Sequence, residues 1–190
     1  MFTAARTFRM VGQESLWQVA HRVHEIMHSA AIPHAIVGGV AVCLHGYRRT
    51  TIDLDLLVRP GDADAIRESL ISAGFEWSPS VREFRSADGI PVQFVLTGHA
   101  MGPKEPTRFP DPSDPGVTVA LESLPTLSLA KLIEAKLACG QGNLRRTHKD
   151  FADVVELIAA NCLKASFVSK LHPSVRPAYR ELWKRVDGTT

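Results

Sequence analysis

Apolar residues at Leu16, Val19, Ala20, Val23, Met27 and Ala30 recur every three or four positions, which predicts an amphipathic helix over residues 13–31. The pattern then shortens. Ala35-Ile36-Val37 runs directly into Gly38-Gly39, as a buried strand ending in a tight turn does, and residues 40–47 return to helical character. Ile52-Asp53-Leu54-Asp55-Leu56 alternates with period two before Leu57-Val58. Side chains two apart on a strand share a face, so Asp53 and Asp55 are expected side by side, with Ile52, Leu54 and Leu56 turned to the core.

Asp62 is placed to cap a helix reaching to about Ala73, and Gly74 to stop it. Residues 81–85 and 90–96 read as two strands joined at Asp88-Gly89. Residues 97–116 hold Pro103, Pro106, Pro110, Pro112 and Pro115, a connection long enough to be a lid over a site or a disordered insertion. Lys104 and Arg108 within it are either phosphate contacts or solvated charge. From Ser128 to about Val186 the pattern is helical, and no internal repeat occurs. The order of elements predicts an α/β (α+β) chain: a small mixed β-sheet flanked by helices in a core over 1–125, followed by a C-terminal helical region over 126–190 packed on it.

Composition narrows the class without naming a function. With 190 residues, 45% of them hydrophobic, one good core is expected rather than two enzyme domains. A net charge of +2 permits an anionic substrate or an RNA partner without demanding either. Cys43, Cys139 and Cys162 show no paired metal spacing and read as buried thiols of a reducing compartment. No run is long enough to span a bilayer and the first ten residues have no apolar signal region, so a cytoplasmic protein is expected. His21, His24 and His28 share one side of the first helix, as a zinc site or, with no standard zinc spacing, as a solvated polar face.

The candidate chemistry begins with Asp53 and Asp55. Two neighbouring acids in so apolar a strand repel one another and call for a cation, and Mg²⁺ or Mn²⁺ typically takes one or two carboxylates plus substrate phosphates. In the helix around residues 128–137, Leu129, Leu132, Ile133 and Leu137 form one stripe, and Lys136 falls inside it while Lys131 and Glu134 are expected to point outward. A lysine on a core face either snorkels to water or meets an anion. In the following helix Phe151, Val154, Val155 and Ile158 are expected buried and Lys149, Asp153 and Glu156 outward. Asp150 is then either an acid looking inward or part of a capping box begun at Thr147.

Together these residues resemble the nucleotidyltransferase superfamily, with the DNA polymerase beta-like fold, and within it the bacterial AbiEii-type toxins and their minimal relatives. Gly38-Gly39, the Asp53-Leu54-Asp55 strand and the lead-in Arg49-x-Thr51-x-Asp53 carry the resemblance. It extends to Lys136 and to Lys149-Asp150-Phe151-Ala152-Asp153. The resemblance implies that Gly38, Gly39, Arg49, Thr51 and Lys136 hold a nucleoside triphosphate, that Asp53 and Asp55 bind Mg²⁺ or Mn²⁺, and that Lys136 and Asp150 assist transfer of NMP to a hydroxyl of tRNA, another RNA or a protein. It also implies a toxin/antitoxin role with a cognate antitoxin. One departure stands out: where the superfamily has a third carboxylate on a neighbouring strand, the best candidate strand offers Gln93, and an amide is no general base. The alternative is therefore a catalytically lapsed protein that binds a nucleotide or a partner. A basic set in the last helices, Lys164, Lys170, Arg176, Arg180, Lys184 and Arg185, is either an RNA grip or solvated surface.

Overall fold

A computed structural model describes residues 3–10, 12–102 and 106–188; Lys104 lies outside them. The strands are β1 (His34–Val37), β2 (Leu54–Val58), β3 (Glu76–Ser78), β4 (Glu83–Arg85), β5 (Pro91–Leu96), β6 (Thr118–Leu121) and β7 (Leu124–Leu127). They form one mixed sheet in the order β3-β4-β5-β2-β1-β7-β6. β2 runs antiparallel to β1 and parallel to β5, and β1 runs parallel to β7. The helices are α1 (Ala4–Met10), α2 (Glu14–Ser29), α3 (Gly38–Leu44), α4 (Ala63–Ser72), α5 (Leu129–Gly142), α6 (Leu144–Ala160) and α7 (Arg176–Asp187). The expected α/β class with a mixed sheet flanked by helices is what the chain adopts.

The core follows the apolar pattern. Leu16, Val19, Ala20, Val23 and Met27 of α2 are buried in it, each large side chain contributing roughly 1.5–3 kcal/mol. On one face of the sheet Ile66 of α4 lines a cavity together with Phe84, Phe94 and Leu96. On the other, Leu132 and Ala135 of α5 face Asp55 and Val95. β2 therefore has buried residues on both faces, with Leu54, Leu56, Leu57 and Val58 all enclosed. Among the described residues no helix is long and apolar enough to cross a membrane.

Several local expectations are corrected. Ile52 precedes β2 and is 71% exposed, because pairing with β1 begins only after it. Asp62 does not cap α4: its two carboxylate oxygens accept from Arg59 Nε at 2.8 Å and Nη2 at 3.2 Å, and it makes no hydrogen bond to the helix amides. Gly74 does end α4, at φ +87°. α1, β3 and the β6–β7 hairpin were not foreseen, and the break at 125/126 falls inside β7, which pairs with β1 through Ile36 and Thr126. Cys43 is buried, but Cys139 is half-buried and Cys162 exposed. The histidines of α2 are not simply solvated: the His24 Nδ1 and His34 Nε2 atoms lie 3.0 Å apart, and burial holds both rings below the ordinary imidazole value.

The described parts of the Pro-rich connection, 97–102 and 106–116, pair with one another. Ala100 and Arg108 form a bridge, Met101 N–H donates to Thr107 O at 2.9 Å, and Gly98 N–H donates to Phe109 O at 2.8 Å. The excursion thus doubles back on itself and presents Met101 and Phe109 to a cleft beside Asp55.

Candidate active site

Asp55 lies at the middle of the sheet, in register with Val37 of β1 on one side and Gln93 of β5 on the other. β1 runs straight into Gly38, whose φ of +62° is left-handed. A Cβ built there would fall 1.9 Å from Asp55 Oδ2. The carboxylate thus rests against the bare glycine. Asp53, just before β2, accepts a hydrogen bond from the buried Thr51 hydroxyl at 3.0 Å. Burial first, and then repulsion by Asp53, push the Asp55 carboxyl up to about 6, against the opposing pull of Lys136, Arg146 and Lys149. The two acids therefore sense one another.

Gly39 has a different neighbour. Its Cβ would strike Thr51 Oγ1 at 2.2 Å and lie 2.9 Å from Arg49 Nη2, so the glycine lets α3 pass against the segment that carries both residues. Arg49 and Thr51 are both engaged within the protein. Thr51 steadies Asp53, and Arg49 Nε stands 2.9 Å from Asp153 Oδ1, paired by charge though off the hydrogen-bonding direction.

The opposite wall comes from α5 and α6. Lys136 Nζ donates to Asp150 Oδ1 at 2.9 Å and lies 2.7 Å from Asp153 Oδ2, while Arg146 Nε donates to Asp150 Oδ2 at 3.1 Å. Asp150 is fully buried, with each oxygen held by a cation. The capping-box alternative falls away, because α6 starts a turn earlier with Asn143 Oδ1 accepting from Arg145 N–H at 3.0 Å. The outward placement of Asp153 is also corrected. Asp150, Asp153, Val154 and Leu157 stand at i, i+3, i+4 and i+7, which is one face of a helix, and all four are buried. Glu134 is buried too: α5 is enclosed nearly all round, and Glu134 Oε2 accepts from His172 N–H at 2.6 Å.

Between these walls lies a cavity of about 260 Å³ that brings together Gly38, Asp55, Lys136, Arg146 and Asp150 on an otherwise apolar lining of Val95, Met101, Phe109 and Leu132. Sequence patterning does not single out Arg146, which lines this cavity, or Asp153, which pairs with Lys136, and it does not single out Glu83, which is not among the lining residues. That carboxylate, 4% exposed, sits on β4 and accepts from Gln93 Nε2 at 2.9 Å and from Arg85 Nη2.

No protein-family model matches the sequence, and no characterised protein matches it by sequence. Solved structures do. The chain is similar to ANT(2'')-Ia in complex with adenylyl-2''-tobramycin, with a TM-score of 0.60 and 14% identity over 88% of this chain and 98% of that one. The solution structure of the antibiotic-resistance factor ANT(2'')-Ia gives a TM-score of 0.54 and 12% identity over 92% and 96%. A Thermotoga maritima protein described as a nucleotidyltransferase gives 0.53 and 17% over 73% and 93%. The fold is that of a nucleotidyltransferase. At these identities the likeness concerns the fold, and the chemistry of this chain is argued from its own residues.

The donor set suits a hard divalent ion. Asp55 offers carboxylate oxygens at the cleft, and Asp53 two residues earlier is near enough to repel it. Among the described residues no three His, Cys, Asp or Glu side chains converge into a metal cage, so the remaining ligands would be an amide, water or phosphate oxygens.

Proposed function

We propose that the protein transfers an NMP unit from a nucleoside triphosphate to an acceptor hydroxyl in a metal-dependent reaction, with Asp53 and Asp55 as the metal ligands. The observation that carries this reading is the Asp55 carboxylate lodged against Gly38 at the base of the cavity and raised to about 6 by burial and by Asp53. A buried acid held next to another acid is unfavourable for the resting protein, and a cation with phosphates relieves it. Mg²⁺ bound there supplies positive charge to the triphosphate as charge moves onto the leaving oxygen. Gly38, bare of a Cβ, makes room for the Asp55 carboxylate, and Arg146, more than half exposed, brings a guanidinium to the cavity.

The acceptor oxygen attacks the α-phosphorus, a new P–O bond forms, the bond to the bridging oxygen breaks, and pyrophosphate leaves. Lys136 is shared between Asp150 and Asp153, so Asp150 acts by fixing Lys136 and Arg146 in the cleft, and the hydroxyl proton leaves to solvent. Catalysis by this chain is mostly positioning and electrostatics.

The acceptor class follows from charge. A polycation such as an aminoglycoside calls for free carboxylates, whereas the acids of this cavity, Asp55 and Asp150, are assigned to the metal and to Lys136 and Arg146. Basic residues nearby, Arg146 and Lys149 among them, favour an anionic acceptor, and an RNA hydroxyl suits them better than a protein hydroxyl. A toxin role and a cognate antitoxin rest on the Lys136 and 149–153 elements alone. Incubating the purified protein with each α-labelled NTP, Mg²⁺ and total RNA, protein extract or aminoglycosides is the test. Label in RNA is the expected result, label in an aminoglycoside would refute the acceptor class, and no transfer with bound nucleotide would favour the lapsed, nucleotide-binding reading that Gln93 supports.

A further inference from the structure

Gln93 occupies the position where a third acid was sought, and its surroundings determine how its amide is turned. Asp55, Gln93 and Glu83 fall in one row across β2, β5 and β4. Asp55 is the Cα partner of Gln93, and the pairs Phe84 with Val92 and Arg85 with Pro91 bring Glu83 opposite Gln93 on the next strand. The Gln93–Glu83 side-chain bond shows that these two share a sheet face. Glu83 is a carboxylate with almost no access to water, held by Arg85 on one oxygen and by Gln93 Nε2 on the other at 2.9 Å. An ionised carboxylate only accepts hydrogen bonds, so the amide must offer its NH₂ to Glu83, and its oxygen is left for the other side. On that side, in register, is Asp55.

We propose that Glu83 is a positioning residue for the metal site: it locks the Gln93 amide with its nitrogen toward β4, so that its oxygen serves as a neutral third ligand beside Asp53 and Asp55. The inference rests on the metal-site reading above and deepens it. Replacing an acid by an amide lowers the ligand charge from three to two, matching a divalent ion without excess. Ligand charge count sets affinity for such ions, so the site holds metal weakly alone and more tightly when a nucleotide brings its phosphates. The orienting acid has moved one strand outward, where it touches the ligand and not the ion.

Titration with Mn²⁺, followed by the EPR signal of the free ion, tests this on the full chain without requiring turnover. Wild type is expected to bind one ion at the site and Asp55→Asn to lose it. Glu83→Gln, which frees the amide to flip, is expected to weaken binding about tenfold or more. Gln93→Met removes the ligand oxygen and is expected to weaken it similarly, and Glu83→Gln added to Gln93→Met to cost nothing further, since Glu83 acts only through Gln93. A merely structural role for Glu83 would lower the melting temperature and leave this non-additivity absent. Unchanged affinity in Glu83→Gln, or losses that add in the double variant, overturns the inference while the Asp55→Asn result keeps the site. Equal binding by wild type and Asp55→Asn removes the site and the inference together. Should Glu83→Gln not fold, Gln93→Met alone decides, wild-type affinity being the overturning result.

Discussion

Gly38 and Asp55 constrain one another, and that makes the glycine the most sensitive single position of the site. Gly38→Ala adds a Cβ 1.9 Å from a carboxylate oxygen in a left-handed backbone conformation. The expected outcome is a loss of about 1–3 kcal/mol in urea unfolding together with loss of metal and nucleotide binding. Gly39→Ala, whose Cβ meets Thr51 and Arg49, is expected to disturb Asp53 through Thr51 and to spare Asp55. The raised Asp55 carboxyl gives a pH prediction. The folded chain holds its proton more tightly than the unfolded chain, so this group's contribution is fully present below about pH 4 and is lost as pH rises through about 6. At pH 8 the metal-free protein carries a penalty of at most about 3 kcal/mol, and Asp55→Asn, which cannot ionise, is expected to melt higher than wild type there and with a flatter pH dependence. A variant that melts lower at pH 8 would show the Asp55 charge to be compensated already. At this scale the sequence was informative for Gly38 and Asp55, because a period-two acid pair beside a glycine has no packing use. It was uninformative for Glu83, since its place opposite Gln93 depends on the turn length around Asp88-Gly89, and one residue more or less would swap the face it occupies.

Between elements, the buried ion cluster is what joins α5 to α6 and α6 to the loop before β2. Lys136 on α5 faces Asp150 and Asp153 on α6, and Asp153 in turn faces Arg49. The two helices approach so closely at Gly140 that a Cβ there would lie 2.6 Å from the Phe151 ring. Deleting the cation is therefore costly. Lys136→Met leaves two buried carboxylates short of a partner and is expected to destabilise by about 3–5 kcal/mol in denaturant unfolding. Adding Asp150→Asn and Asp153→Asn is expected to recover much of that loss, because apolar and neutral groups need no pairing; recovery without return of nucleotide binding would separate the cluster's structural work from its place in the cleft. The wheel of α6 made Asp150 legible as an inward acid. A wheel centred on Phe151, Val154, Val155 and Ile158 turns Asp153 outward, whereas the buried face runs through Asp150, Val154 and Leu157 and takes Asp153 with it. The unforeseen β6–β7 hairpin has a similar cause: β7 reads Leu124-Pro125-Thr126-Leu127, and its proline and single buried threonine give no strand periodicity, so pairing with β1 decides its structure.

For the whole molecule, the cleft lies between two walls: Asp55 on the strand side and Lys136, Arg146 and Asp150 on the helical side, with Met101 and Phe109 of the doubled-back connection along the edge. A ligand touching both walls binds the folded state alone and stabilises it by mass action, about 2.7 kcal/mol at a hundredfold excess over its dissociation constant. For a chain of 190 residues that corresponds to a rise in melting temperature of roughly 5–10 °C. Mg²⁺ alone is expected to give little of this, because two carboxylates and an amide hold it weakly, and a triphosphate alone little more, because it meets the acids unscreened. Both together are expected to give the full shift, and the four NTPs ranked by its size would report the base preference. Sub-additive behaviour, with the nucleotide alone shifting the melt as far as the mixture does, would place the phosphates on Arg146 and its basic neighbours and leave Asp53 and Asp55 without a metal to hold. The Met101 and Phe109 edge adds a control: Phe109→Ala opens the apolar side without touching either charged wall, so it is expected to weaken nucleotide binding while the dependence on metal stays as steep as in wild type.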